Sequence, residues 1–112
     1  MPTGKPELLP GTLEMLALKT LSFGPLHGYG IAQHIHRLSG DALRVEEGSL
    51  YPALQRMRAK GWVRSEWRNS PTGRRARYYT LTAAGRRQLD GEAESFDKTV
   101  AAIARVMRAA KA

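Results

Sequence analysis

The stretch EEGSLYPALQRMRAKGWV, residues 46 to 63, decides how the chain is read. Leu50, Leu54 and Met57 recur at i, i+4 and i+7, which puts them on one face of a helix from about Glu47 to Lys60. Gly61 is placed to end that helix in a left-handed conformation. Pro52 is the discordant residue. It falls within the opening turns, where a helical bond is not yet due or is only beginning, so its cost is much lower than the ~3 kcal/mol of a helix interior. With about 100° between successive residues, Gly48, Pro52, Gln55, Arg56 and Ala59 lie opposite the apolar face, with Ser49 and Tyr51 on its flanks. A solvated helix face ordinarily carries Glu and Lys. This one carries glycine and proline, which let the backbone come close to a surface.

Working outward, residues 1–7 contain Pro2, Gly4 and Pro6 and read as a loose N-terminal arm. In LLPGTLEMLALKTLS, Pro10 and Thr12 mark a helix start, and Leu13, Leu16, Ala17 and Leu21 form one stripe. Gly24 and Pro25 end it. A second helix is expected from about Gly28 to Leu38, with Ile31, Ile35 and Leu38 on its inner face, followed by the connector SGDALRV. After the third helix, WVRSEW and RARYYTL have the aromatic and β-branched content of strands, Tyr79 and Leu81 share a face, and NSPTG joins the two as a hairpin turn. From Thr82, the expected N-cap, a helix runs almost to the end. Leu89, Ala93, Phe96, Val100, Ile103 and Met107 are spaced 4, 3, 4, 3 and 4 apart, a heptad seam. Its flanks are charged (Asp90, Glu92, Glu94, Asp97, Lys98, Arg105, Arg108), so only a narrow stripe seeks burial. A helix of roughly 26 residues extends some 40 Å at 1.5 Å per residue and outreaches a domain this small, which points to dimerisation through the seam.

At 112 residues the chain is one domain by length, long enough to bury a core without staples. It has no cysteine, which excludes disulfides and thiolate metal sites. MPTGKPELLPG lacks the apolar run of a signal peptide or membrane span, so a soluble, cytoplasmic protein is expected. Net charge is +8, and its placement says more than its size. Between Arg56 and Arg87 there are ten basic residues against one acid, Glu66, which leaves the rest of the chain close to neutral. Such a confined positive field is the footprint of a polyanion partner, of which nucleic acid is the commonest.

Three helices followed by a two-stranded hairpin is the order of a winged helix-turn-helix, whose third helix enters the major groove while the hairpin lies along the backbone. The charge map agrees with that placement. Arg74, Arg75 and Arg77 sit beside Pro71 and Gly73 on a tight projecting turn able to reach phosphates or a minor groove. On the third helix, Gln55 suits paired hydrogen bonds to adenine, Arg56 suits guanine or phosphate, and Ser49 and Tyr51 suit phosphate oxygens. His27, His34 and His36 offer no metal site, because positions 34 and 36 point about 200° apart on a helix. No carboxylate pair, nucleophile motif or phosphate loop accompanies them, so no catalytic residue, metal or cofactor is expected and the chain does not read as an enzyme.

The runs LHGYGIAQHI, EEGSLYPALQRMRAKGWV and RRARYYTLTAAGRRQL together resemble the PadR family of transcriptional regulators. That pattern includes HGY at the second helix, a G-S/T-L/I-Y-P element at the third, and Y-Y-x-L-T followed by A-G and a basic pair. The resemblance spans about Leu8 to Leu89 and implies a winged-helix homodimer on a palindromic operator, usually a repressor, with the C-terminal helix forming much of the dimer contact. It further implies that Tyr29 touches backbone phosphate from the start of the second helix. Ser49, Tyr51, Pro52, Gln55 and Arg56 would form the recognition surface, with Arg74, Arg75 and Arg77 on the wing. Glu46 and Glu47 depart from a start suited to DNA; they either favour the helix through its dipole or lower affinity. With one C-terminal helix, as in the shorter members, and only Phe96 aromatic on it, no strong drug pocket is expected.

The expected fold is therefore mainly α with a small β-hairpin. It comprises the arm at 1–7, a winged helix-turn-helix DNA-binding domain at 8–81 and a dimerisation helix at 82–110. Two rivals stay open on sequence grounds. One is a basic nucleic-acid-binding protein without sequence preference, architectural or RNA-associated. The other is a protein adaptor whose heptad helix is the working surface.

Overall fold

The computed structural model describes residues 11–111. The expected arm at 1–7 and the start signal at Pro10 lie outside the described residues. The chain forms α1 (Thr12–Leu21), β1 (Leu26–His27), α2 (Gly28–Leu38), α3 (Glu47–Ala59), β2 (Val63–Asn69), β3 (Arg75–Leu81) and α4 (Ala83–Arg108).

Leu50, Leu54 and Met57 are fully buried, and Ala53 joins them between the two rows. Fully burying one such side chain stabilises by about 1.5–3 kcal/mol, so these residues anchor α3 against the core. Ile31 and Ile35 of α2 and Ala17, Leu18 and Leu21 of α1 complete the helical part, with Leu13 and Leu16 packed half-buried on it. Leu18 lies off the stripe expected for α1. The reason is that α1 meets α2, α3 and α4 at once, so its buried face is wider than one stripe. Leu38 departs the other way, 63% exposed. It is the last residue of α2, past the packed part of the helix.

The expected hairpin is present but belongs to a three-stranded antiparallel sheet in the order β1-β3-β2. Val63 faces Leu81 and Asn69 faces Arg75 across β2 and β3, while Leu26 and His27 of β1 pair with Tyr79 and Tyr78. A two-residue strand directly after Gly24 and Pro25 has no periodicity to betray it. Its effect is to tie the entrance of α2 to the hairpin.

At Pro52 the helical ladder is only just beginning, as expected. The Leu50 amide already donates to the Glu46 carbonyl at 3.0 Å, so the helical ladder has begun before Pro52. The bond it forgoes would have reached the carbonyl of Gly48, an exposed residue where water can replace it. Gly61 has φ 77° and ends α3 as expected.

Thr82 caps α4: its Oγ1 accepts from the Gly85 amide at 3.0 Å and donates to the Gly61 carbonyl at 2.6 Å. A Cβ on Gly85 would collide with the Trp62 carbonyl, so only glycine lets α4 start this close to β2. Leu89 is the last buried apolar residue of α4. Beyond it the helix runs on, and the molecule measures 62 × 34 × 21 Å. Among the described residues, no helix is long and apolar enough to cross a membrane.

Candidate nucleic-acid interface

The entrance of α2 is built by His27, whose Nδ1 accepts from the Gly30 amide at 2.9 Å and caps the helix. Its ring stacks near Tyr29 at 6.4 Å and meets Tyr78 of β3 edge-on at 5.3 Å. Tyr29 is thereby held pointing outward and is exposed. Gly28 is required for the next contact, since a Cβ there would stand 2.6 Å from the Tyr51 ring. The missing side chain brings Tyr51 of α3 against the first turn of α2. Burial, then Glu47, then Tyr79 raise the pKa of its phenol, so Tyr51 is a neutral hydroxyl donor at physiological pH.

On the wing, the Ser70 amide donates to the Arg74 carbonyl at 2.6 Å and the Gly73 amide to the Ser70 carbonyl at 2.9 Å. Gly73 takes φ 87°, which closes the turn without strain. Arg77 is oriented twice: its Nε donates to Ser65 Oγ at 3.1 Å, and its guanidinium stands 5.7 Å from the centre of the Trp67 ring. Arg68 donates to Glu66 at 2.7 Å and also lies over Tyr78. Arg74 and Arg75 are exposed and form no ion pair or side-chain hydrogen bond among the described residues. Their charge is available to an outside anion.

Between the wing and the helices lies an open cleft of about 700 Å³ that brings Tyr29, Tyr51, Arg74, Arg75 and Arg77 together. Tyrosyl hydroxyls and unpaired guanidinium groups on one concave face are donors for phosphate oxygens. His27, Gln33 and Trp67 also line the cleft and were not singled out from the sequence as site residues. Gln33 could have been found, because it stands four residues after Tyr29 and so on the same helix face. Trp67 depends on strand pairing, which places it opposite Arg77.

Ser49, Pro52, Gln55 and Arg56 are exposed on α3 but do not line the cleft. They continue its surface along the outer side of the helix. Arg56 is engaged: its Nε donates to Glu14 Oε2 of α1 at 3.0 Å. Glu46 forms no side-chain cap, while Glu47 occupies the first turn of α3, where a negative charge suits the helix dipole. The other histidines do not line the cleft. His36 Nδ1 donates to the Leu43 carbonyl at 3.2 Å and its Nε2 faces Asp41, and His34 Nδ1 is buried without a partner. The described residues contain no cluster of three or more possible metal ligands.

At the far end, Phe96, Val100, Ile103 and Met107 are 46–77% exposed, and Ala93 is also exposed. Of the seam residues, Leu89 alone is buried within the chain.

Comparison with known proteins agrees with this geometry. The structure resembles that of a PadR family transcription regulator from Clostridium difficile R20291, with a TM-score of 0.76 and 26% identity over 87% of this chain and 99% of that one. It is equally similar to a PadR family transcriptional regulator from Eggerthella lenta, with a TM-score of 0.75 and 27% identity, covering 89% and 85% of the two chains. In sequence it is 45% identical over 82 residues to a 37.1 kDa protein in transposon TN4556 of Streptomyces fradiae. That match covers 73% of this chain and 22% of the larger protein. Both matched structures are those of transcription regulators. Residues 17–91, which span the core, the cleft and the start of α4, match the transcriptional regulator PadR-like family, and the chain belongs to that family of DNA-binding, winged-helix regulators.

Proposed function

We propose that this regulator acts as a repressor, binding a palindromic operator as a homodimer in the cytoplasm. Residues 8–81 would form the DNA-binding unit and 82–110 the dimerisation helix. The observation that carries the reading is the cleft, where unpaired Arg74 and Arg75 of the wing share one face with the Tyr29 and Tyr51 hydroxyls at the α2–α3 entrance.

In this arrangement α3 lies in the major groove. Gln55 and Arg56 face base edges there, and Ser49, Tyr51 and Tyr29 hold phosphates on either side. Pro52 and Gly48 keep that face low enough for the backbone to approach. The wing arginines reach the flanking backbone or minor groove. The exposed stripe from Ala93 to Met107 supports dimerisation, because it is apolar, continuous with buried Leu89 and uncovered within the chain. Two copies joined along it would present two α3 helices to the two halves of a palindrome.

The test is a binding competition at fixed salt between duplex DNA from upstream of the protein's own gene and random duplex. A specific regulator prefers the upstream DNA by roughly 10³-fold or more. Equal affinity would establish the sequence-independent reading instead, since general backbone binding is salt-dependent but indifferent to sequence.

A further inference from the structure

The ion pair between Arg56 and Glu14 joins the outer face of α3 to the first turn of α1, forty-two positions apart in the chain. The two partners are unequally exposed: the Arg56 side chain is 57% accessible and that of Glu14 only 14%. Glu14 meets the guanidinium at Nε, and among the described residues nothing bonds Nη1 or Nη2. The half-buried carboxylate thus holds one edge of the group and leaves the outer donors free.

We propose that Glu14 is a positioning residue for base recognition, fixing the Arg56 guanidinium so that its free donors meet the O6 and N7 acceptors of a guanine. This inference rests on the reading of α3 as the helix that enters the major groove. An arginine on an exposed helix face samples many rotamers, and ordering it on the DNA costs side-chain entropy. A preformed bond to Glu14 removes part of that cost. It also partly neutralises the charge, which weakens non-specific attraction to phosphate while the directional contact to one base is kept. The pair therefore trades general affinity for discrimination, and Glu14 acts without touching DNA.

The experiment is selection of binding sites from a random duplex pool by the full chain and its variants, followed by direct binding to the selected duplex and to random duplex. Wild type should enrich a guanine at one position of each half-site. Arg56→Ala should erase the preference at that position alone. Glu14→Gln keeps the shape of the side chain and removes the charge. It should bind random duplex at least as tightly as wild type, yet lose about tenfold in preference for guanine at the position Arg56 reads. Combining it with Arg56→Ala should add nothing further there, a signature that a merely structural Glu14 would not give. If Glu14→Gln retains the full preference, or weakens every position equally together with a fall in melting temperature, the positioning role is overturned. A wild-type pool with no enriched motif would instead overturn the major-groove reading, and the positioning role with it.

Discussion

The two ends of this molecule handle exposed side chains in opposite ways. At one end, α2, α3 and the wing stand on a packed core, and the cleft they expose carries tyrosyl hydroxyls, an amide and unpaired arginines beside the Trp67 ring. At the other, the second half of α4 stands on nothing within the chain and exposes Phe96, Val100, Ile103 and Met107. An amphipathic pattern is present in both α3 and α4, but only α3 has its apolar face covered. The first is buried within the chain, whereas the second is left uncovered by it. Attraction of an anion to the first end would be weakened by salt; a contact made by the second would rest on excluding water and would not be.

The contrast can be broken most forcefully on α4. Introducing Phe96→Asp with Val100→Asp places charges in the stripe and should convert a dimer to a monomer in sedimentation experiments. Operator affinity should fall roughly 100-fold or more with it, because the second half-site contact loses its effective concentration. If the doubly substituted protein stays dimeric, the seam is not the interface. On α3 the apolar face serves the fold, so Leu54→Ala should cost about 2–5 kcal/mol in denaturant or thermal unfolding while leaving any association of α4 intact. A loss below about 1 kcal/mol would mean that the core under α3 is loosely packed.

Smaller effects separate charge from packing. Arg74→Ala with Arg75→Ala should leave melting unchanged and lower the slope of log affinity against log salt by about 3.6 for a dimer on its operator, if each of the four guanidinium groups lost meets one phosphate. An unchanged slope would remove the wing from the contact and revive the adaptor reading. The smallest expected effect concerns Tyr51. Its raised phenol pKa means that the folded state holds the proton more tightly than the unfolded chain does. The stabilisation is therefore present below the unfolded value of 10.0 and is lost as pH rises towards the folded pKa. Tyr51→Phe should flatten the loss of stability above pH 10; an identical alkaline profile would show that the ring is not held against α2 as the glycine at position 28 indicates.

What was legible in the sequence follows the range of the interactions. The apolar face of α3, its stop at Gly61 and the Thr82 cap are set by neighbours a few residues away, and periodicity exposes them. The apolar stripe of α4 was readable for the same reason. β1 was not, since its two residues acquire strand character only by pairing with Tyr78 and Tyr79. Leu18 was missed because its burial depends on α1 being surrounded by three helices. The cleft was legible in part. Tyr29, Tyr51 and the wing arginines carry the resemblance, but the approach of Tyr51 to Gly28, the lining by Gln33 and Trp67, and the bond from Arg56 to Glu14 arise from tertiary packing.

Whether two α3 faces act together on DNA can be read from hydroxyl-radical footprinting of the wild-type chain on its upstream DNA. Two protected patches related by a two-fold axis are expected, with half-sites separated by one helical turn, about 10 base pairs, or a multiple of it. Uniform protection along the duplex, or a single patch with no symmetric counterpart, would contradict that joint action.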